Sequence, residues 1–189
     1  HLGFFGGRSI PVMLACPART LEVMPYALAG RAEDAGLCVC DLQVDSDHPS
    51  LYYCATSPVV GSSLYTDCAV RAVEFPKAIT EAVRCQRSAV QILTPWREPP
   101  APDKEAFMTF WVTRDALVHV CMDSRTPPGK LPSWLEYAGF RKIPGAEVLT
   151  TEPGLSLQVH RRFFRARTLV KLGGSDNGRD LALAFTDFG

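Results

Sequence analysis

Hydrophobic and polar positions along most of this chain alternate in short runs, the period of strands, with little of the three-to-four spacing that marks amphipathic helices. The two clearest runs cover 107–112 and 116–122, and the Thr113-Arg114-Asp115 break between them predicts a hairpin. In the second run Leu117, His119 and Cys121 fall on one face, and Val118, Val120 and Met122 on the other. Further strands are expected over 36–44, 51–54, 89–93, 155–163, 168–172 and 181–185. If the 36–44 strand is regular, Cys38 and Cys40 point the same way. Residues 64–75 alternate loosely up to Pro76, 78–84 form a short helical turn or an irregular strand, and 132–137 a short loop or helical turn carrying Trp134. Gly173-Gly174-Ser175-Asp176-Asn177-Gly178 reads as a tight hairpin turn with glycines at positive φ; it lacks the spacing and context of a phosphate loop.

Strands joined by short turns, with neither a periodic repeat nor a coiled coil, predict an all-β fold, an antiparallel β-sandwich or jelly roll. The expected organisation is a β-sandwich domain over 61–189 behind a soft boundary at Gly61-Ser62-Ser63, preceded by a smaller, cysteine-containing, disulfide-linked β unit over 1–60. That unit packs against the sandwich or belongs to its sheets. The loop 95–102 (PWREPPAP) is a stiff spacer.

Composition then narrows the partners. Twenty Lys plus Arg balance 20 Asp plus Glu, so no long-range field draws the molecule toward nucleic acid or an anionic membrane. No segment is apolar for long enough to cross a membrane, and no charged start followed by an apolar run marks a signal peptide. The chain opens on His1, without Met, and ends on Gly189, which reads as a mature chain or an excised piece and leaves secretion open. Seven cysteines at 16, 38, 40, 54, 68, 85 and 121 favour an oxidising compartment and a secreted or cell-surface protein. The odd count leaves one thiol for a partner outside the chain, and ordinary buried thiols are the competing explanation.

A string of short words in the second two thirds carries a resemblance: Leu64-Tyr65-Thr66-Asp67, Cys121-Met122-Asp123-Ser124-Arg125, Leu131-Pro132-Ser133-Trp134-Leu135, Phe140, the run from Leu157 to Phe164, and Val170-Lys171-Leu172-Gly173-Gly174-Ser175. Over residues 61–187 the chain resembles a β-sandwich accessory domain found at the ends of secreted bacterial polysaccharide-active enzymes and in other large extracellular proteins. Three departures stand out: Ser175 where Asn is usual, Arg165-Ala166-Arg167 in place of a glycine-containing turn, and Leu181-Ala182 where Met-Tyr is typical. The resemblance implies an accessory or structural module, not an enzyme.

Asp123, Arg125 and Trp134 form the candidate carbohydrate-binding cluster. A guanidinium and a carboxylate can bond adjacent hydroxyls while an indole covers a sugar ring. An architectural role competes: Asp123 accepting N–H bonds in its own turn, Arg125 paired with it, and Trp134 plugging the sandwich end. His160, Arg161, Arg162, Arg165, Arg167 and Lys171 make the densest basic run, but Val159 and Arg161 face one side of a strand and His160 and Arg162 the other. Solvated strand residues explain most of it; an acidic glycan or acidic protein is the functional alternative. Asp41, Asp45, Asp47 and His48 lack the calcium-loop pattern, and Cys38-x-Cys40 is too close and too solitary for zinc. His1 with His119 or His160 and Phe185 raises a copper-dependent polysaccharide monooxygenase as a remote alternative. No hydrolase or protease motif is present, so no catalytic, metal or cofactor residue is nominated. The expectation is a non-catalytic extracellular structural or adhesive module that mediates protein assembly or self-assembly, with a carbohydrate-binding module as the alternative.

Overall fold

A computed structural model describes residues 13–15, 38–55, 58–85, 89–96, 104–174 and 182–187. Its elements are β1 (Met13–Ala15), β2 (Val39–Val44), β3 (Tyr53–Ala55), β4 (Ala72–Glu74), α1 (Lys77–Cys85), β5 (Ala89–Leu93), β6 (Met108–Val112), β7 (Ala116–Asp123), α2 (Ser133–Tyr137), β8 (Arg141–Thr150), β9 (Ser156–Phe164), β10 (Thr168–Leu172) and β11 (Ala182–Asp187).

The fold is all-β, with the strands dealt into two unequal sheets. Eight strands in the order β3-β5-β1-β11-β7-β9-β8-β4 make a curled, partly closed sheet, and β10-β6-β2 make a second, three-stranded one. This replaces the antiparallel β-sandwich or jelly roll expected from strand spacing. One pair, β1 with β11, runs parallel. β10 hydrogen-bonds to β6 in the small sheet, while β11 joins β7 and β1 in the large one; most of the hairpin turn expected at 173–178 lies outside the described residues.

Alternation explains the small sheet. Met108, Phe110 and Val112 of β6 point inward with Val170 and Leu172 of β10, and share one core with Val118, Val120 and Met122 of β7. In β7 the opposite face is buried as well, through His119 and Cys121, so the strand lies covered on both sides near the middle of the large sheet. Such double burial accounts for its nearly continuous apolar sequence.

The disulfide linkage expected of the amino-terminal unit is corrected. No disulfide is present among the described residues; Cys38, Cys40, Cys54, Cys68 and Cys121 all carry thiols. Ladder register gives the reason, because the cysteines stand across from other residue types: Cys40 from Trp111, Cys54 from Ile92, and Cys121 from Val159 and Ala182. Cys38 and Cys121 act as small apolar core residues. Cys16 lies outside the described residues. The segments around Cys38–Cys54 are themselves built into the sheets, β2 against β6 and β3 against β5. Nor is β2 regular: Asp41 takes φ 52° and the register slips between Cys40 and Gln43, a bulge that leaves Val39 and Leu42 buried and turns Asp41 and Gln43 outward.

Candidate functional site

Asp123 and Arg125 do meet, in the turn that closes β7. The Asp123 carboxylate, 5% exposed, accepts the Arg125 backbone N–H at 2.9 Å on Oδ1. The same carboxylate takes the guanidinium side-on, Nε at 2.8 and 3.1 Å and Nη2 at 2.5 Å. Asp in such a turn caps the backbone two residues on, and the fork adds charge-assisted bonds. The turn is tied down further, since Ser124 Oγ lies 2.7 Å from Ser156 Oγ, which in turn donates to Glu147 at 2.7 Å. The carboxylate is thus occupied within the chain, and the guanidinium is half-exposed.

Trp134 is directed elsewhere. Pro132 leads into α2 and Gly139 ends it at φ 76°, as a helix closing on a left-handed residue requires. From this single helical stretch the Trp134 indole Nε1 donates to the Gly174 carbonyl at 2.9 Å. The ring also stands edge-on to Phe140 at 6.1 Å, and Phe140 packs on Phe164 at 6.0 Å. The indole fills the space over Gly173 so closely that a Cβ there would lie 2.4 Å from Trp134 Cδ1. Gly173 is therefore needed for room and not for positive φ, contrary to the turn geometry expected from sequence. Trp134 behaves as a strut between α2 and the end of β10.

A different aromatic faces solvent from the small sheet. Trp111 of β6 is 41% exposed at the centre of the outer face of the three-stranded sheet. Register places Cys40 and Leu169 on either side of it. The next row on the same face is Gln43, Thr109 and Lys171, again in register across the three strands. The β2 bulge adds exposed Asp41 beside this ladder. An indole with an amide, a hydroxyl, an ammonium and a carboxylate nearby can stack against the C–H face of a sugar ring and bond its hydroxyls. The signal was present in the run 107–112, where strand alternation sets Trp111 opposite Phe110, but the site reading from sequence passed over it. Two other exposed aromatics have different settings: Tyr137 ends the short α2, and Phe163 is overlaid by the Arg165 guanidinium at 5.8 Å.

The basic run divides as strand parity requires. Val159 is buried and Arg161 exposed on one face, with Arg161 directly across from Arg141. On the other face His160 is buried opposite Val120 and Lys142. Burial first, and then the Lys142 ammonium, lower its pKa from 6.5 to about 4. Arg162 lies over the Phe164 ring at 4.5 Å and donates to the Ala138 carbonyl. The nominated copper ligands His119 and His160 project from opposite faces of adjacent strands, since His119 registers with Arg161 and His160 with Val120. Among the described residues no three His, Cys, Asp or Glu side chains gather as metal ligands; His1 lies outside them. Asp45, of the calcium candidates, pairs with Lys104 at 3.0 Å. No helix among the described residues is long and apolar enough to cross a membrane.

No protein-family model matches the sequence, and no curated protein matches it. Among solved structures, a β-glucuronidase from glycoside hydrolase family 2 shares the fold over 78% of this chain, with a TM-score of 0.59 and 16% identity. The match occupies 14% of that chain. At this identity the likeness is one of fold alone.

Proposed function

We propose that this chain is a non-catalytic accessory module of a carbohydrate-active protein, and that it holds a glycan on the outer face of the β10-β6-β2 sheet. The observation that carries the reading is Trp111, held half out of the surface by a three-stranded ladder whose next row presents Gln43, Thr109 and Lys171. The ladder fixes the aromatic before any ligand arrives, which lowers the ordering cost of binding. The fold shared with part of a β-glucuronidase supports the same context. Asp123 and Arg125 could add a secondary contact through the half-exposed guanidinium, whereas Trp134 is engaged by Gly174 and Phe140. Affinity electrophoresis through gels containing soluble polysaccharides tests the reading. Wild-type protein is expected to be retarded by at least one polymer and Trp111→Ala by none; equal retardation of the two would remove Trp111 from the site.

A protein-contact role keeps one observation in its favour. Val59, Val60, Val73 and Leu149 are exposed around the edge strand β4 and its partner β8. Sedimentation of the wild type and Val73→Lys would separate self-association through this edge from a purely glycan-binding module.

A further inference from the structure

The charges that flank Trp111 differ in how they are held, and that difference bears on the kind of glycan the face takes. Along β10 the outward residues are Leu169, in register with Trp111, and Lys171, in register with Thr109. Two residues before Leu169, Arg167 stands in the turn, its backbone N–H donating to the Val112 carbonyl at 2.7 Å. Arg167, in the turn just before β10, and Lys171, within it, thus stand on either side of Leu169 in the chain, the β10 partner of Trp111. Both are exposed, and among the described residues neither takes part in an ion pair. By contrast, the neighbouring cations are engaged: Lys104 with Asp45 at 3.0 Å and Arg165 with Asp115 at 3.8 Å. Asp41 is the exposed carboxylate on the far side of β6, in the bulge of β2.

Arg167 is also strained. Its φ of 59° lies in the left-handed region, which a side chain adopts at a steric cost and where glycine is at ease. An exposed arginine returns little packing for that cost, and such outliers gather where a side chain is needed for binding.

From these features we infer that the Trp111 face binds an acidic polysaccharide, with Trp111 stacked on a sugar ring and Arg167 and Lys171 bonding carboxylate or sulfate groups to either side. This rests on the glycan-binding reading above and names its ligand class. A guanidinium can take a carboxylate or sulfate in a forked pair, while the ammonium acts as a point charge, so the two suit a polyanion with spaced charges.

The test uses matched polymers: polygalacturonate against its methyl ester, and dextran sulfate against dextran, with polyglutamate as a polyanion lacking sugar rings. Wild-type protein is expected to bind the charged member of at least one pair more tightly. Arg167→Gly and Lys171→Gln should each weaken that binding by about five- to tenfold at low ionic strength, and weaken binding to the neutral member by a smaller factor. Arg167→Gly should at the same time raise the Tm, because glycine relieves the left-handed strain; that gain shows the lost affinity does not arise from misfolding. Trp111→Ala should abolish binding to both members. Equal binding of charged and neutral polymers, with Arg167→Gly and Lys171→Gln silent, would overturn the acidic-ligand inference while leaving the glycan-binding reading intact. Binding to polyglutamate as tight as to polygalacturonate, unaffected by Trp111→Ala, would overturn it in favour of an acidic protein. Failure to bind any sugar polymer would overturn both.

Discussion

Gly173→Ala is a sharp test of whether Trp134 is a strut or a ligand platform. The new methyl group would sit 2.4 Å from Trp134 Cδ1 and 2.8 Å from Cγ, at the root of the indole where the ring cannot simply swing its tip aside. Relief requires turning the ring, which breaks the 2.9 Å bond from Nε1 to the Gly174 carbonyl and disturbs the edge-on contact with Phe140. Overpacking of this kind costs about 1–3 kcal/mol, and the lost hydrogen bond about 1 kcal/mol more. The alanine recovers about 0.4–1 kcal/mol by restricting the unfolded chain. The net expectation is a loss of about 2 kcal/mol, which at a urea slope of about 2 kcal/mol/M moves the unfolding midpoint down by about 1 M. Trp111→Ala, on an exposed site, should shift the midpoint far less. Urea unfolding followed by circular dichroism at equilibrium reads both variants. An unchanged midpoint for Gly173→Ala would refute the close packing on which the assignment of Trp134 rests.

Three further outcomes follow from the same contacts. His160 stays neutral in the folded chain down to about pH 4, while an unfolded histidine takes up its proton near 6.5. Its contribution is therefore complete above pH 6.5 and is lost as pH falls toward 4, by about 2 kcal/mol after allowance for water at its edge, and His160→Gln should flatten the slope of stability against pH in that window; an identical slope in the variant would show that other groups set it. Burial pushes the Cys121 thiol up to about 12, so it should resist alkylation at pH 8 in the native protein and react on unfolding; rapid native labelling at Cys121, mapped by peptide mass, would contradict its placement on β7. Asp123→Ala should destabilise more than Arg125→Ala, about 2 against 1 kcal/mol, because the carboxylate is buried and the guanidinium half in water; the reverse order in thermal unfolding would contradict the described turn.

Much of the strand map was legible because burial and side-chain parity coincide. The spans of β5, β7 and β10 are close to those expected, and the two faces of β7 carry the predicted residues. The longest strand, β8, was missed since its run Arg141-Lys142-Ile143-Pro144-Gly145 holds two strand breakers; the strand tolerates them through a register shift between Lys142 and Glu147 and a left-handed Gly145. Residues 64–75 alternate only loosely, and of them Ala72–Glu74 pairs as a strand, with isolated bridges at Ser63–Arg71 and Tyr65–Thr94. Cysteine spacing suggested covalent links, but burial in an apolar ladder satisfies a thiol without a partner cysteine, so the count was no guide to disulfides. This correction withdraws the main compositional argument for an oxidising compartment. The site was legible only in fragments. Asp123 and Arg125 lie close in sequence and meet, whereas the support beneath Trp111 comes from Gln43, Cys40, Leu169 and Lys171 on strands far apart in the chain, a juxtaposition no local pattern contains.

The three tryptophans, Trp96, Trp111 and Trp134, give three indole N–H signals, and following them by two-dimensional 15N NMR while a retarding polysaccharide is added tests the central claim most directly. The account predicts that the Trp111 indole shifts saturably while Trp134, bonded to Gly174, stays in place. A saturable shift of Trp134 with Trp111 unmoved would contradict it and return the binding surface to the α2 end of the fold.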